Sequence, residues 1–161
     1  MISSSDILGG KILIVDDQDA NILLLERMLA SAGYVSITST MDSNEVCELQ
    51  RKHRYDLIML DLEMPSMGFS GFQVMEGLKE IEPDGYLPVI VITAHEGHKL
   101  HALQAGARDF ISKPFELAEM LARVHNMLEV RLLYVEAKSR IKALESEVAF
   151  AERKCCPEAH E

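Results

Sequence analysis

Five short apolar runs alternate with helix-like stretches along the chain, and this alternation limits the possible folds more than any other feature. Three of the runs are nearly continuous in β-branched and large aliphatic residues, as strands covered on both faces are. The runs cover residues 11–15, 34–38, 56–60, 88–92 and 109–112. Helical spacing of apolar residues covers 20–31, 42–53, 72–81, 97–105 and 116–152. The pattern predicts an α/β fold, in which a parallel sheet with right-handed crossovers carries helices on both faces.

The ends of the expected helices carry suitable capping residues. Asp19 precedes the first helix, and Asp42 or Ser43 precedes the second, so their side chains can accept hydrogen bonds from the first helical N–H groups. Gly33 and Gly106 follow helical stretches and suit C-terminal caps.

The charge distribution argues against a surface that binds nucleic acid directly. The net charge is −10, and residues 1–128 hold 10 basic and 19 acidic residues. Residues 129–154 are nearly neutral, with six basic and five acidic residues. Since binding to a phosphate backbone requires clustered Lys and Arg, we expect no direct contact with nucleic acid.

The sequence predicts neither a membrane protein nor a disulfide-bonded one. No run of about 18 apolar residues exists, and residues 1–10 lack the basic start of a secretory signal. The three cysteines, Cys47, Cys155 and Cys156, form no disulfide framework. The spacing of the last two relative to His160 matches no common zinc pattern. We therefore expect a cytoplasmic protein.

Chemically active side chains follow four of the expected strands, at the edge where parallel strands end and ligands bind. They are Asp16 and Asp17 after the first strand, Asp61 after the third, Thr93 after the fourth and Lys113 after the fifth. Carboxylates within about 4–6 Å repel one another unless a cation intervenes, and Mg²⁺ prefers such hard oxygen ligands. An ionised carboxylate there can attack a phosphoryl group, while a hydroxyl and an ammonium group bind its oxygens. Taken singly, each residue is typical of loops or helix N-termini, but their coincidence favours phosphoryl transfer.

Four segments together resemble the receiver domains of bacterial response regulators, the CheY-like family. They are IVDD at 14–17, LDLEMP at 60–65, VITA at 91–94 and SKPF at 112–115. The resemblance covers residues 10–128. It implies a doubly wound (βα)5 fold of the flavodoxin-like type, with strand order 2-1-3-4-5, followed here by a long C-terminal helix extension.

The resemblance also implies a role for each matching residue. Asp61 corresponds to the phosphoacceptor, and Thr93 and Lys113 to the residues that assist it. Magnesium would be held by Asp16, Asp17, Asp61 and the backbone carbonyl of Glu63. Thr93 and Phe110 correspond to the switch positions, and the Lys113–Pro114 bond to one that is commonly cis. The phosphoryl donor would be a sensor histidine kinase or a phosphotransfer protein.

Two features depart from the family pattern. The segment at 66–70 is about two residues longer than usual and borders the expected site. Phe110 stands where the family has an aromatic switch residue that is often tyrosine, and a phenylalanine has no hydroxyl to satisfy when it turns inward. A static core phenylalanine is the alternative interpretation.

The C-terminal helix carries two sets of apolar residues that are out of phase. The first set is Leu117, Met120, Val124 and Met127, and the second is Val130, Tyr134, Ala137, Ile141, Leu144 and Val148. The second set lies beyond the receiver, so we expect it to form a parallel coiled-coil homodimer, with an adjustable joint near Met127. A solvated helix is the alternative. The expected division is an N-terminal segment at 1–10, a receiver at 11–128, a coiled-coil linker at 129–152 and a flexible tail at 153–161.

Several functions are compatible with this organisation. The leading interpretation is a phosphorylation-driven switch with no enzymatic activity beyond its own phosphorylation and dephosphorylation. The alternative is the regulatory part of a larger output enzyme such as a cyclic-di-GMP phosphodiesterase, because the helical segment resembles the linkers that precede such domains. A flavin-binding flavodoxin is disfavoured because Asp16 and Asp17 stand where a flavin phosphate would need a neutral loop. The complete acidic set argues against a degenerate receiver.

Overall fold

The computed structural model describes residues 1–64, 71–82 and 86–155. The strands are β1 (Lys11–Val15), β2 (Ser36–Thr40), β3 (Leu57–Asp61), β4 (Val89–Thr93) and β5 (Asp109–Ser112). The helices are α1 (Ser4–Leu8), α2 (Asp19–Ser31), α3 (Val46–His53), α4 (Gly71–Ile81), α5 (Gly97–Gln104) and α6 (Leu117–Cys155), with a 3₁₀ turn at Ser43–Glu45 before α3. All strand pairs are parallel, and the order is β2-β1-β3-β4-β5. The predicted fold is confirmed.

The sheet is buried on both faces, which explains why its strands are continuous in apolar residues. Successive side chains of β1 alternate between two core layers, with Ile12 and Ile14 in one and Leu13 and Val15 in the other. Helices α1, α2 and α6 cover the first layer, and α3, α4 and α5 cover the second. Both layers are built mainly from branched aliphatic side chains.

Among the strands, the predicted bounds differ from the structure most at β2, which begins at Ser36 instead of residue 34. The preceding turn passes through Gly33 with φ +100°, and the N–H of Tyr34 donates to Leu29 O at 3.2 Å. Tyr34 is therefore buried as the end of the α2 turn and not as a strand residue. Gly106, with φ +111°, follows α5 as predicted.

One of the two predicted N-caps is confirmed. The Asp42 side chain accepts a hydrogen bond from Asn44 N at 2.9 Å and so caps the 3₁₀ turn. The prediction for Asp19 is wrong, since α2 begins at Asp19 itself after Gln18, which makes no side-chain cap. Its carboxylate lies in the first turn, where the helix dipole favours a negative charge.

The N-terminal segment contains a helix that the sequence analysis did not predict. A capping box holds α1: Ser3 N donates to Asp6 Oδ2 at 2.8 Å, and Asp6 N donates to Ser3 Oγ at 3.2 Å. Ile7 buries its side chain against the core. Gly10 passes so close to α6 that an added Cβ would lie 2.9 Å from a methyl group of Leu128. The segment therefore packs against α6.

Helix α6 is continuous from Leu117 to Cys155, and its buried side chains are Met120, Val124, Leu128 and Arg131. Leu117, predicted to share this stripe, is instead 45% exposed. We define the outer stripe as the second apolar set extended at the same spacing: Val130, Tyr134, Ala137, Ile141, Leu144, Val148, Ala151 and Cys155. At about 100° per residue, it lies about 120° around the helix from the buried stripe. The apparent phase slip near Met127 therefore marks a change of face, and the helix has no break there.

A buried ion network, which we call the amino-end cluster, fixes α6 to the other end of the sheet. It consists of Arg131, Glu82, Asp56 and Gln50. The Arg131 guanidinium lies 2.9 and 3.3 Å from the two Glu82 oxygens and donates to Tyr86 O at 2.6 Å. Gln50 donates to Glu82 at 3.2 Å, and Lys11 N donates to Asp56 Oδ2 at 3.0 Å. Arg131, although charged, is only 6% exposed. Its two terminal nitrogens are hydrogen-bonded to these partners, whereas its buried Nε lies 3.6 Å from Asp56 Oδ1 and has no hydrogen bond within the described residues.

Among the described residues, no helix combines the length and the apolarity that crossing a bilayer requires.

Candidate functional site

Three aspartates meet at the carboxyl edge of the sheet. Asp16 and Asp17 follow β1, and Asp61 is the last residue of β3. The register pairs Val15 with Leu60, so these two strands end at the same level. Each aspartate offers an oxygen, and the three oxygens lie within 4.8 Å of one another. Asp16 and Asp61 are almost fully buried, at 1% and 0% exposure, and Asp17 is half-buried.

Backbone N–H groups orient two of these carboxylates. Gln18 N donates to Asp16 Oδ1 at 2.9 Å, and Glu63 N donates to Asp61 Oδ1 at 2.9 Å. Each aspartate thus closes a turn with the residue two positions later and keeps its second oxygen for other contacts. Within the described residues, the second oxygen of Asp16, Oδ2, is buried and has no hydrogen-bond donor.

Lys113 is the cation that the fold brings to this edge. Its Nζ lies 2.9 Å from Asp61 Oδ2, and its side chain is 19% exposed. Lys113 N donates to Thr93 O at 3.1 Å, which continues the pairing of β5 with β4. The Lys113–Pro114 bond is cis, as the resemblance implied. One lysine therefore faces three carboxylates.

The electrostatics of the edge favour a further cation. Burial raises the pKa of Asp16 to about 6, and the neighbouring Asp61 charge adds to this effect. The Gln18 N–H and Lys113 act in the opposite direction without offsetting it, so the pKa stays above its usual value. A cluster of hard oxygen donors with excess negative charge fits Mg²⁺ better than a soft metal. The residues present therefore fit the expected ion.

Thr93 and Glu63 are hydrogen-bonded to each other beside this cluster. The Thr93 hydroxyl and Ala94 N both donate to Glu63 Oε1, each at 2.9 Å. His95 Nε2 lies 3.7 Å from the same oxygen. Although partial burial opposes ionisation, the Ala94 N–H, the Thr93 hydroxyl and the nearby Lys113 and His95 hold the pKa of Glu63 below its ordinary value. This contact of the Glu63 side chain was not expected from the sequence, which pointed only to the Glu63 carbonyl.

Phe110 lies between two cationic side chains. Lys99 Nζ is 4.6 Å from the ring centroid, and the Arg123 guanidinium carbon is 5.5 Å from it. Arg123 also pairs with Asp109 at 2.6 Å and with Glu119 at 2.9 Å. The ring is half-buried in this conformation, and its role as a switch residue stays a prediction. Cation–π contacts hold it on the surface formed by α5, β5 and α6.

The longer segment at 66–70 lies outside the described residues, so its expected effect on access to the site stays a prediction.

Comparison with known proteins identifies the family. Residues 12–125 match the family described as the response regulator receiver domain. The response regulator PleD of Caulobacter vibrioides is 34% identical over 135 residues, which is 83% of this chain and 29% of PleD. The polar-differentiation response regulator DivK of Brucella anthropi is 31% identical over 119 residues, which is 73% of this chain and 94% of DivK. The chain thus spans less than a third of PleD but almost all of DivK.

Solved structures agree with this assignment. A putative response regulator from Chloroflexus aurantiacus superposes with a TM-score of 0.69 at 29% identity, over 75% of this chain and 98% of that one. The receiver domain of the sensor histidine kinase PA1611 from Pseudomonas aeruginosa gives 0.67 at 30% identity, with the same coverage. That structure has a magnesium ion coordinated in its active-site cleft. The present chain belongs to the response regulator receiver domain family, the CheY-like signalling domains of two-component systems.

Proposed function

We propose that this receiver accepts a phosphoryl group on Asp61, with Mg²⁺ held by Asp16, Asp17, Asp61 and the backbone carbonyl of Glu63. The observation that carries the proposal is the meeting of three carboxylates, all within 4.8 Å, with Lys113 at one edge of the sheet. The magnesium-bound PA1611 receiver supports the choice of ion by similarity.

The reaction is a transfer between two side chains. An oxygen of Asp61 attacks the phosphorus of a phosphohistidine on a sensor histidine kinase or a phosphotransfer protein. A P–O bond forms, the P–N bond breaks, and the leaving imidazole keeps the bonding electrons and takes up a proton. Magnesium, when bound, neutralises charge on the phosphoryl oxygens.

Lys113 and Thr93 would each bind an oxygen of the phosphoryl group. Lys113 Nζ already lies 2.9 Å from Asp61, so it can pair with a phosphoryl oxygen without a large movement. The Thr93 hydroxyl can donate one hydrogen bond, which now goes to Glu63. Transfer of that bond to a phosphoryl oxygen leaves Glu63 with Ala94 N and His95, at the start of the loop before α5. The α5–β5 surface that includes Phe110 is thereby coupled to phosphorylation.

The proposed output is a change of contacts, not catalysis by the receiver itself. We propose a cytoplasmic signalling protein that does not contact nucleic acid directly and that self-associates through the outer stripe of α6. Residues 11–128 would form the receiver and 129–152 the helical linker. The contacts of α1 and Arg131 extend the packed unit slightly beyond those limits. The helix runs three residues past the expected linker, and residues 156–161 lie outside the described part.

A second candidate is the regulatory part of a longer output enzyme, such as a cyclic-di-GMP phosphodiesterase. The chain covers only 29% of PleD, and α6 extends well beyond the receiver core. In that case the phosphorylation chemistry is the same, and α6 joins the receiver to the catalytic part.

Mass spectrometry after incubation with acetyl phosphate and Mg²⁺ tests the phosphorylation proposal. Wild type should gain one phosphoryl group, and Asp61→Asn should gain none. Asp42→Asn is the matched control, because Asp42 is exposed and asparagine caps the 3₁₀ turn equally well. Labelling of Asp61→Asn at the wild-type level would refute the assignment of Asp61. If wild type gains the phosphoryl group equally well when Mg²⁺ is omitted from the incubation, the proposed role of the metal is refuted.

A further inference from the structure

The outer stripe of α6 is an apolar face that the described chain leaves mostly exposed. Its exception is Tyr134, which is half-buried and has its ring centroid 6.2 Å from that of Tyr86. Val130, Ile141, Leu144 and Val148 are 44%, 56%, 60% and 56% exposed. The stripe spans residues 130–155, about three and a half heptads. Helix α1 approaches α6 at Leu132 and Val135, which lie on another face, so α1 does not cover Ile141, Leu144 or Val148. An isolated helix of this kind gains its stability chiefly by packing its apolar face.

We propose that a second copy of this chain covers the outer stripe in antiparallel orientation, with Ile141 facing the partner's Leu144. The two helices then overlap from residue 130 to residue 155. The two receivers lie at opposite ends of the paired segment. This orientation replaces the parallel one expected from the apolar spacing alone, because spacing does not distinguish the two.

The first argument is the fit of side-chain sizes across the pair. In the proposed register, Tyr134 meets the partner's Ala151, and Ala137 meets the partner's Val148. Each small residue thus lies opposite a larger one, and Val130 lies opposite the partner's Cys155. A parallel pair would instead place tyrosine against tyrosine and alanine against alanine at residues 134, 137 and 151. Well-packed interfaces avoid such alternation of crowded and underfilled layers.

The second argument is the charge beside the stripe. Lys138, Arg140, Glu145 and Glu147 are exposed and occupy the positions that flank a coiled-coil seam. In the antiparallel register, Lys138 meets the partner's Glu145 and Arg140 meets the partner's Glu147. Each pair occurs twice, and every one is attractive. Arg140 now makes only a surface contact with Glu136 at 3.4 Å, and its side chain is 75% exposed.

Other arrangements bring like charges together. A parallel pair keeps one attraction, between Arg140 and the partner's Glu145, but sets Glu147 against the partner's Glu152. An antiparallel shift of one heptad places either Lys138 and Arg140 or Glu145 and Glu147 against their own copies. The proposed register is therefore the one in which size and charge agree.

A charge reversal distinguishes the orientations by the sign of its effect. Glu147→Lys faces the partner's Arg140 in the antiparallel pair, so the dissociation constant at low salt should rise roughly tenfold. In a parallel pair the same change removes a repulsion and should tighten the dimer. Adding Arg140→Glu to Glu147→Lys should restore the wild-type constant. Glu129→Lys, an equal change of charge away from the stripe, is the control and should have little effect.

The measurement is analytical ultracentrifugation of the full chain without phosphodonor. The inference rests on the proposed self-association through α6 and not on phosphoryl transfer at Asp61, which mass spectrometry tests separately. A wild type that stays monomeric at about 100 μM would overturn the self-association itself. A dimer that tightens with Glu147→Lys would overturn only the antiparallel orientation.

Disulfide trapping gives a second, independent readout. In Val130→Cys/Cys156→Ser, mild oxidation should join residue 130 to the partner's Cys155, since the two face each other in the proposed register. Peptide mapping identifies the bond. Bonds between like positions, 155 to the partner's 155 or 130 to the partner's 130, with none between 130 and 155, would show a parallel pair and refute the proposal.

Discussion

At the amino end of the sheet, Arg131 joins Glu82 and Asp56 in a buried cluster, whereas at the carboxyl end Lys113 faces three carboxylates. In the amino-end cluster the Arg131 guanidinium makes a bidentate contact with Glu82 and lies near Asp56, and Gln50 and Lys11 donate to these carboxylates, although Arg131 Nε itself has no hydrogen bond among the described residues. The carboxyl-end cluster keeps an excess of negative charge, and burial holds the pKa of Asp16 at about 6. Similar residue types thus have different consequences at the two ends.

The contrast between the two clusters distinguishes buried charges that stabilise the fold from buried charges that bind a ligand. A charge that contributes to the fold has its partner within the chain, and removal of either partner is damaging. A charge kept for a ligand is unfavourable until the ligand arrives, so its removal relieves the free chain. The two clusters therefore predict stability effects of opposite sign.

The largest expected effect is at Arg131. Arg131→Met should lower the free energy of unfolding by about 3 kcal/mol, because Glu82 stays charged and buried without its bidentate partner. Urea unfolding followed by circular dichroism measures this change. Arg153→Met, on the exposed end of α6, should change it by less than about 0.5 kcal/mol. Equal effects of the two variants would show that the cluster does not hold the fold.

Removal of one carboxylate at each end should give opposite signs. In metal-free buffer near pH 7, Glu82→Gln should destabilise the chain by about 2 kcal/mol, since Arg131 loses its bidentate counter-charge and keeps only Asp56, at 3.6 Å. Asp16→Asn should stabilise it by about 2 kcal/mol, because the buried charge disappears while the acceptor for Gln18 N remains. The same urea titrations compare the two. The comparison between the sheet ends fails if both variants shift stability in the same direction.

The pH dependence of the unfolding free energy tests the carboxyl-end cluster separately. The pKa of Asp16 is about 6 in the folded chain and 3.8 ordinarily, so between these values the folded state holds a proton that the unfolded state has released. Without magnesium, this carboxyl group should therefore lower stability as pH rises from about 4 to about 6, by up to about 2 kcal/mol in total. Subtracting the unfolding free energy of Asp16→Asn at each pH isolates the effect. A difference that does not change across this range would contradict the pKa of Asp16.

The smallest expected effect is that of magnesium. At a concentration ten times its dissociation constant, Mg²⁺ should stabilise wild type by about 1.4 kcal/mol and raise the melting temperature. Asp17→Asn should lose most of this increase, whereas Glu82→Gln, altered at the other end of the sheet, should keep it. Differential scanning calorimetry with and without the ion gives the comparison. An unchanged response of Asp17→Asn would remove Asp17 from the proposed metal site.

Much of the fold was predictable because its strands are buried on both faces. The predicted bounds of β1 and β5 match the structure. The predicted β2 began two residues too early because Tyr34 is apolar enough for a strand, yet it packs beside the turn at Gly33. Helix α1 was missed because its five residues show no periodicity and depend on a capping box and on contact with α6.

The residues of the candidate site were predictable because most of them directly follow strands whose positions could be predicted. Parallel register brings Asp16, Asp17, Asp61 and Lys113 together, as expected. The contact of Thr93 with the Glu63 side chain was not predictable, because a sequence does not specify side-chain rotamers. Arg131 was missed for a related reason. An arginine in an amphipathic helix is typical of the surface, and only the tertiary fold places Glu82 opposite it.

Helix α6 continues without a break beyond Arg131, where the amino-end cluster fixes it to the sheet, and this continuity has a mechanical consequence. From Arg131 to Cys155 the helix extends about 36 Å, at 1.5 Å per residue. A tilt of about 10° at Arg131 therefore moves the far end sideways by about 6 Å. A tilt of the helix at Arg131 or α1 that is small enough to leave the receiver core packed therefore produces a larger displacement at Cys155. At Cys155 this displacement exceeds the separation of about 4.5 Å within which apolar side chains are in contact, so it is large enough to break contacts with a neighbouring helix.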